Sequence, residues 1–178
     1  GVICADTPTF PKSGYGIAKL CAGQMTRIAC RQKGIRHVWP RILSLYGPND
    51  NPMSVIPMLM HALLEHRDFP LTPGEQKWDY LFSEDAAQAL VALAQKGRDG
   101  AVYPLGSGKT QMLRWYFEKL RDAVSPGTVL DLGKLNYPPG QVMTLQADIG
   151  PIERDTGWTP KTGFEEGILK TVLAAKGR

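Results

Sequence analysis

IRHVWPRILSLYGP (residues 35–48) is the stretch on which the fold turns. It is apolar and β-prone and closes with Gly47-Pro48, so it reads as a buried strand running into a loop. What flanks it is helical. Upstream, residues 1–12 are polar and proline-bearing and read as a loop, and Tyr15 to Lys33 has helical periodicity that stops at Gly34. Downstream, Asn49 to Pro52 is turn chemistry, and Val55 to Glu65 repeats Ile56, Leu59, Met60, Leu63 and Leu64 at helical spacing. After the breaker-rich DFPLTPGEQ, WDYLF (78–82) reads as a short strand. A helix over Asp85 to Lys96 follows, capped by Ser83 and ended by Gly97. The remainder repeats this grammar with strands at 101–106, 128–133 and 142–148. Its helices fall at 112–124, near Pro151 to Thr156, and from Phe164 to Lys176. Strands alternating with helices mean α/β.

The chain has 178 residues, 43% hydrophobic and 21% charged, a globular composition with enough length for a proper core. No apolar run approaches the roughly 18 to 20 residues that span a bilayer, and GVICADTPTF lacks the basic start and apolar centre of a signal peptide. The expected compartment is therefore the cytoplasm, with no membrane partner. The net charge of +4 is modest and cations are scattered among acidic residues, which disfavours a nucleic-acid surface and suits a small anionic ligand. Cys4, Cys21 and Cys30 form no CxxC pair and read as reduced, small buried residues. His37, His61 and His66 lack partners at metal or triad spacing, so no metal site is expected.

Two short stretches carry candidate chemistry. In SGYGIAKLCAG (13–23), Tyr15 and Lys19 stand four residues apart on one helical face, away from the stripe Ile17, Cys21, Met25 and Ile28. A phenol is a useful base near neutrality only where its ionised form is stabilised, and a lysine one turn on brings a positive charge to that face. LGSGKT (105–110) resembles a phosphate-binding loop, but the glycine the motif needs five residues before Gly108 is Tyr103. Gly106, Ser107 and Gly108 are better read as a turn between strand and helix. No G-x-G-x-x-G occurs, and a chain with so few early βα units is either an unusual small α/β domain or the C-terminal part of something larger.

Five blocks in order resolve that choice. They are Pro11 with Tyr15-Gly16-x-x-Lys19, and Arg41 followed by Tyr46-Gly47-Pro48. Next come Gly74-x-Gln76 with Asp79-Tyr80 and Glu84-Asp85-Ala86, then Val102-Tyr103-x-Leu105-Gly106-Ser107-Gly108. The last is Ala147-Asp148-Ile149 with Gly157-Trp158-x-Pro160-Lys161. Together they resemble the extended short-chain dehydrogenase/reductase family, specifically its NAD-dependent nucleotide-sugar epimerases, dehydratases and 4-keto-reductases.

The resemblance implies the C-terminal part of a Rossmann-type doubly wound parallel sheet plus a smaller α/β substrate-binding domain. Residues 1–48 and 77–96 would belong to the dinucleotide-binding domain, and 49–76 and 97–178 to the substrate-binding domain. It implies NAD or NADP as cofactor, a nucleotide-sugar as substrate, and a homodimer for the full-length protein, formed through the tyrosine-bearing helix. Tyr15 and Lys19 would be the catalytic pair, and Pro40, Arg41 and Ile42 would join them around the cofactor. Ser44, Lys77, Trp78 and Gln141 would face the substrate. Relatives carry an asparagine where Ser44 stands and an arginine that grips the pyrophosphate where Trp78 stands; an R-P-G-D stretch reads Pro138-Pro139-Gly140-Gln141. Lys77 could substitute for the arginine as a point charge. The glycine-rich loop and the upstream Ser or Thr have no counterpart, since Thr7 and Thr9 lie too near Tyr15, so the chain alone is expected to be inactive. The alternative is a non-catalytic relative that senses NAD(P) or docks a partner.

Overall fold

The computed structural model describes residues 1–177. Its central feature is the 35–48 stretch, which forms one bent strand in two parts, β2 (Trp39–Ile42) and β3 (Ser44–Tyr46). With β1 at Val2–Ile3, β4 at Lys77–Trp78, β5 at Tyr80–Phe82 and β6 at Val102–Leu105, β2 pairs in parallel with β6 and β3 in parallel with β5. The chain changes partner at Leu43, whose N–H still donates to Leu105 O at 2.9 Å. β7 (Gln111–Met112) and β8 (Thr144–Ala147) complete a second sheet of order β1-β8-β4-β7, parallel except where β4 meets β7. The architecture is α/β with parallel pairing throughout its centre, as expected.

Among the described residues six helices surround these strands: α1 (Gly14–Gln32), α2 (Val55–Leu64), α3 (Ser83–Lys96), α4 (Leu113–Val124), α5 (Gly150–Thr156) and α6 (Phe164–Lys176). Two clusters of buried side chains hold them. Tyr46, Phe82, Ile56, Leu59, Phe117, Leu120 and Ile168 join α2, α4 and α6 to the β3–β5 pair. Leu81, Ala89, Leu93, Tyr103, Leu105, Ile152 and Trp158 join α3 and α5 to β6. Each large side chain so removed from water contributes about 1.5–3 kcal/mol relative to exposure. Leu81 and Phe82 are adjacent on β5 and belong to different clusters, because successive strand residues face opposite sides.

Several local expectations are corrected. Residues 128–133 form no strand: Leu71 N–H donates to Asp131 O and Leu135 N–H to Leu71 O, so the segment crosses Leu71 as a loop. Residues 1–12 are not wholly loop, because β1 finds a parallel partner in β8, a long-range pairing invisible in a polar N-terminus. Ser83 does not cap α3; Phe82 occupies that position and Ser83 is the first helical residue, with Glu84 and Asp85 in the first turn. The stripe Ile17, Cys21, Met25 and Ile28 faces solvent, and α1 contains no buried residue. The buried reading therefore fails for Cys21, which is exposed, while Cys4 and Cys30 are half-buried.

Candidate functional site

Local chemistry starts α1 just before the Tyr15–Lys19 pair. Ser13 adopts an extended backbone and its hydroxyl accepts from Gly16 N–H at 3.2 Å, satisfying one of the helix's free donors. Pro11 lies so close to Gly16 that a Cβ there would sit 2.8 Å from Pro11 Cβ. About two turns further, Gly23 lets the helix rest on the Trp39 indole, where a Cβ would come within 2.8 Å of the ring. Lys19, Gly23 and Arg27 thus form an i, i+4, i+8 row along the side of α1 that faces β2.

The pair itself is assembled. Lys19 Nζ lies 5.6 Å from the centroid of the Tyr15 ring, over its face, and Tyr15 is 75% exposed. A cation at that distance is attracted by the ring quadrupole, by about 0.5–1 kcal/mol at an exposed site. Between α1 and β2 runs a groove of about 390 Å³ whose walls include Pro11, Gly16, Lys19, Arg27, Trp39 and Arg41. Three of its lining side chains are cations and none is a carboxylate, which suits an anionic ligand such as a phosphate ester.

Lys19 and Arg41, two of the expected cofactor residues, therefore line one groove. Arg41 is also structural: its Nη1 donates to Thr7 O at 3.0 Å and Cys4 O at 3.5 Å, tying the N-terminal loop to β2. Pro40 and Ile42, one residue to either side, project to the other face of the strand, and Ile42 is 46% exposed. Tyr15, Pro40 and Ile42 do not line the groove. Ser44 and Trp78 are brought together, the indole N–H donating to Ser44 Oγ at 2.7 Å. Lys77 is exposed on β4, and Gln141 uses its amide on Val142 O at 3.1 Å, apart from that contact.

The glycine-rich turn at 106–108 points its amides inward. Ser107 N–H and Gly108 N–H donate to the Asp79 carboxylate at 2.6 and 3.0 Å, so these amides hold a carboxylate of the chain itself. Gly108 has φ +74°, a left-handed conformation that glycine adopts without strain. Around the neighbouring cluster, burial disfavours the ionised form of the Tyr46, Tyr80 and Tyr116 phenols and pushes their pKa values up, that of Tyr116 to about 12. Burial also raises the Asp50 carboxyl.

Sequence reasoning missed Arg27 and Trp39 as parts of the groove. The Lys19-Gly23-Arg27 row was the available signal for Arg27. Trp39 left none, because its packing on Gly23 joins residues that only the tertiary fold apposes.

Residues 3–106 match the model of the NAD dependent epimerase/dehydratase family. The dTDP-glucose 4,6-dehydratase of Salmonella typhimurium is 30% identical over 173 residues, covering 93% of this chain and 48% of that protein. The chain thus spans about half the length of the curated relatives it matches. Among solved structures, the dTDP-glucose 4,6-dehydratase DesIV of Streptomyces venezuelae, solved with NAD, superposes with a TM-score of 0.87 at 25% identity. It covers all of this chain and 55% of its own. The UDP-N-acetylglucosamine 4-epimerase of Methanobrevibacter ruminantium shares the fold at a TM-score of 0.88 and 23% identity, over 98% of this chain and 57% of its own. With more than half its residues matched by the family model, this chain belongs to the NAD-dependent epimerase/dehydratase family.

Proposed function

We propose that this chain supplies the proton-transfer and substrate-binding part of an NAD(P)-dependent nucleotide-sugar epimerase, dehydratase or 4-keto-reductase. The observation that carries the reading is Lys19 Nζ held 5.6 Å over the Tyr15 ring on one helical face. The three-cation groove beside the pair supports a phosphate-bearing dinucleotide, NAD or NADP, as the neighbouring ligand. When bound, the nicotinamide accepts or gives the hydride. Tyr15 Oη takes the proton from the sugar hydroxyl as a ketone forms, or returns it as the ketone is reduced. Lys19 keeps a positive charge beside the phenol and donates to the nicotinamide ribose, with Arg41 in the wall there and Pro40 and Ile42 on the opposite face of β2. Of the expected substrate residues Ser44, Lys77, Trp78 and Gln141, the bonded pair Ser44 and Trp78 faces the substrate together. Residues 1–48 and 77–96 act as the dinucleotide-binding portion, 49–76 and 97–178 as the substrate-binding portion.

In the full-length form, Tyr15→Phe is expected to lower turnover by about 10²–10⁴ while leaving cofactor affinity within about twofold. Unchanged turnover refutes the assignment. The 178-residue chain alone is expected to show no turnover. The full-length protein is proposed to be cytoplasmic and dimeric through the outward face of α1, where Ile17, Met25 and Ile28 are each more than half exposed. Among the described residues no helix is long and apolar enough to cross a membrane. A strict monomer in equilibrium sedimentation sinks the dimer. A non-catalytic NAD(P)-sensing or docking module is the second reading, favoured by Ser44 and Trp78 spending their polar atoms on each other. Cofactor binding without turnover in the full-length protein would select it.

A further inference from the structure

Trp78 is held at two points. Its indole N–H donates to Ser44 Oγ at 2.7 Å, and its backbone carbonyl accepts from Tyr116 Oη at 2.8 Å. The residue remains half-buried, so part of its surface meets solvent. Its direct cross-strand partners, Gln111 on β7 and Leu145 on β8, carry no charge. Lys77 precedes it on β4, and successive strand residues project to opposite faces, so that ammonium group stands on the other side of the sheet. Ser44 opens β3 at the point where the bent strand leaves β6 for β5, just beyond the carboxyl end of β2. In open α/β sheets ligands occupy crevices outside the carboxyl ends of parallel strands, and Ser44 lies just past that end of β2. Ile42, the last residue of β2, is 46% exposed.

This stretch therefore offers a ligand an indole and an aliphatic side chain, and the one nearby indole donor is already committed. A phosphate placed against it would lose hydration without gaining a charged donor from Trp78, Ser44, Gln111 or Leu145. The C–H face of a pyranose or the π-face of a base loses little polar hydration there and gains contact with the indole. We infer that Trp78 is a specificity-determining residue that takes a neutral ring face of the substrate, and that Ser44 is a positioning residue that fixes the indole for it. The inference rests on the nucleotide-sugar reading above and deepens it: a pyranose or a nucleobase ring, and not the diphosphate, lies at Trp78.

The test uses the 178-residue chain, labelled with ¹⁵N. The indole Nε1–H cross-peak of Trp78 is assigned by its disappearance in Trp78→Phe, then followed on titration with UDP-glucose, UMP, glucose 1-phosphate and inorganic pyrophosphate. UDP-glucose is expected to move this cross-peak, and UMP or glucose 1-phosphate to reproduce the shift according to whether base or sugar stacks. Pyrophosphate is expected to leave it in place. Trp78→Ala should weaken UDP-glucose binding about tenfold, with Trp78→Phe keeping most of it. Ser44→Ala should weaken it less, with rescue by Ser44→Thr. A shift produced by pyrophosphate alone overturns the inference. So do shifts confined to other residues, an outcome that leaves the nucleotide-sugar reading standing. If no cross-peak moves with any of the four, that reading fails and the inference falls with it.

Discussion

Ser107 donates to Asp79 twice, through its N–H at 2.6 Å and its Oγ at 2.7 Å, both to the same carboxylate oxygen. The other oxygen accepts from Gly108 N–H and Ala147 N–H, each at 3.0 Å. Asp79 is fully buried. One side chain between β4 and β5 thus binds the 106–108 turn to β8, and a Cβ on Gly106 would lie 2.6 Å from the carboxylate. Asp79→Ala would leave three backbone donors without their acceptor, at about 1–3 kcal/mol for each buried one. Ala147 is buried and Ser107 and Gly108 are half-buried, so the loss is a large fraction of the stability of an ordinary domain, about 5–15 kcal/mol. The variant is expected to be unfolded by circular dichroism, with Asp79→Asn folded but melting earlier.

The hold of α1 on the body of the molecule depends on Gly23 and Trp39. Gly23→Leu is expected to push the helix off the indole and raise amide hydrogen exchange across Gly14–Gln32, leaving α3 and α6 protected. Unchanged exchange in α1 would show that the contact is dispensable.

Asp155 predicts an acid dependence of stability. Its carboxylate accepts from the buried Tyr103 hydroxyl at 2.5 Å and from Arg98 Nε at 2.8 Å. These bonds, the tyrosine's first, hold the carboxyl below the usual carboxylate range. A carboxyl depressed on folding stabilises the native state above its unfolded value, near pH 4, and that contribution fades as pH falls through the lower folded value. Chemical melts between about pH 5 and 2 should therefore show a stability loss that Asp155→Asn reduces.

The opposite limb comes from the buried phenols. Tyr116, raised to about 12 chiefly by burial, favours the neutral form in the native state. Its contribution is complete below about pH 10 and is lost as pH rises toward the folded value. Thermal melts from pH 9 to 12 are expected to fall, and Tyr116→Phe should flatten that fall at the expense of the hydrogen bond to Trp78 O.

Much of the fold was legible because its signals are local. The final helix, expected from Phe164 to Lys176, has those bounds in the structure. The alternation of elements required α/β, and the five ordered blocks pointed to a family that the comparison then established. Within the site, four-residue spacing sufficed to place Tyr15 and Lys19 on one face, since helical geometry alone fixes it. TVLDLG misled because its strand-like residues are placed by single crossings with Leu71, and Ser83 misled because Phe82 already supplied the extended residue that starts α3.

Residue type and spacing by themselves determined the α/β class, the helix carrying Tyr15 and Lys19, and the family. Tertiary structure alone decided which residues distant in the chain share a bond: Ser44 with Trp78, Asp79 with Ser107 and Ala147, Arg41 with Thr7. It also decided that the apolar stripe of α1 turns outward. Periodicity records which side of an element is apolar. What that side meets depends on chain-distant surfaces brought together by burial, and no local pattern encodes that distance.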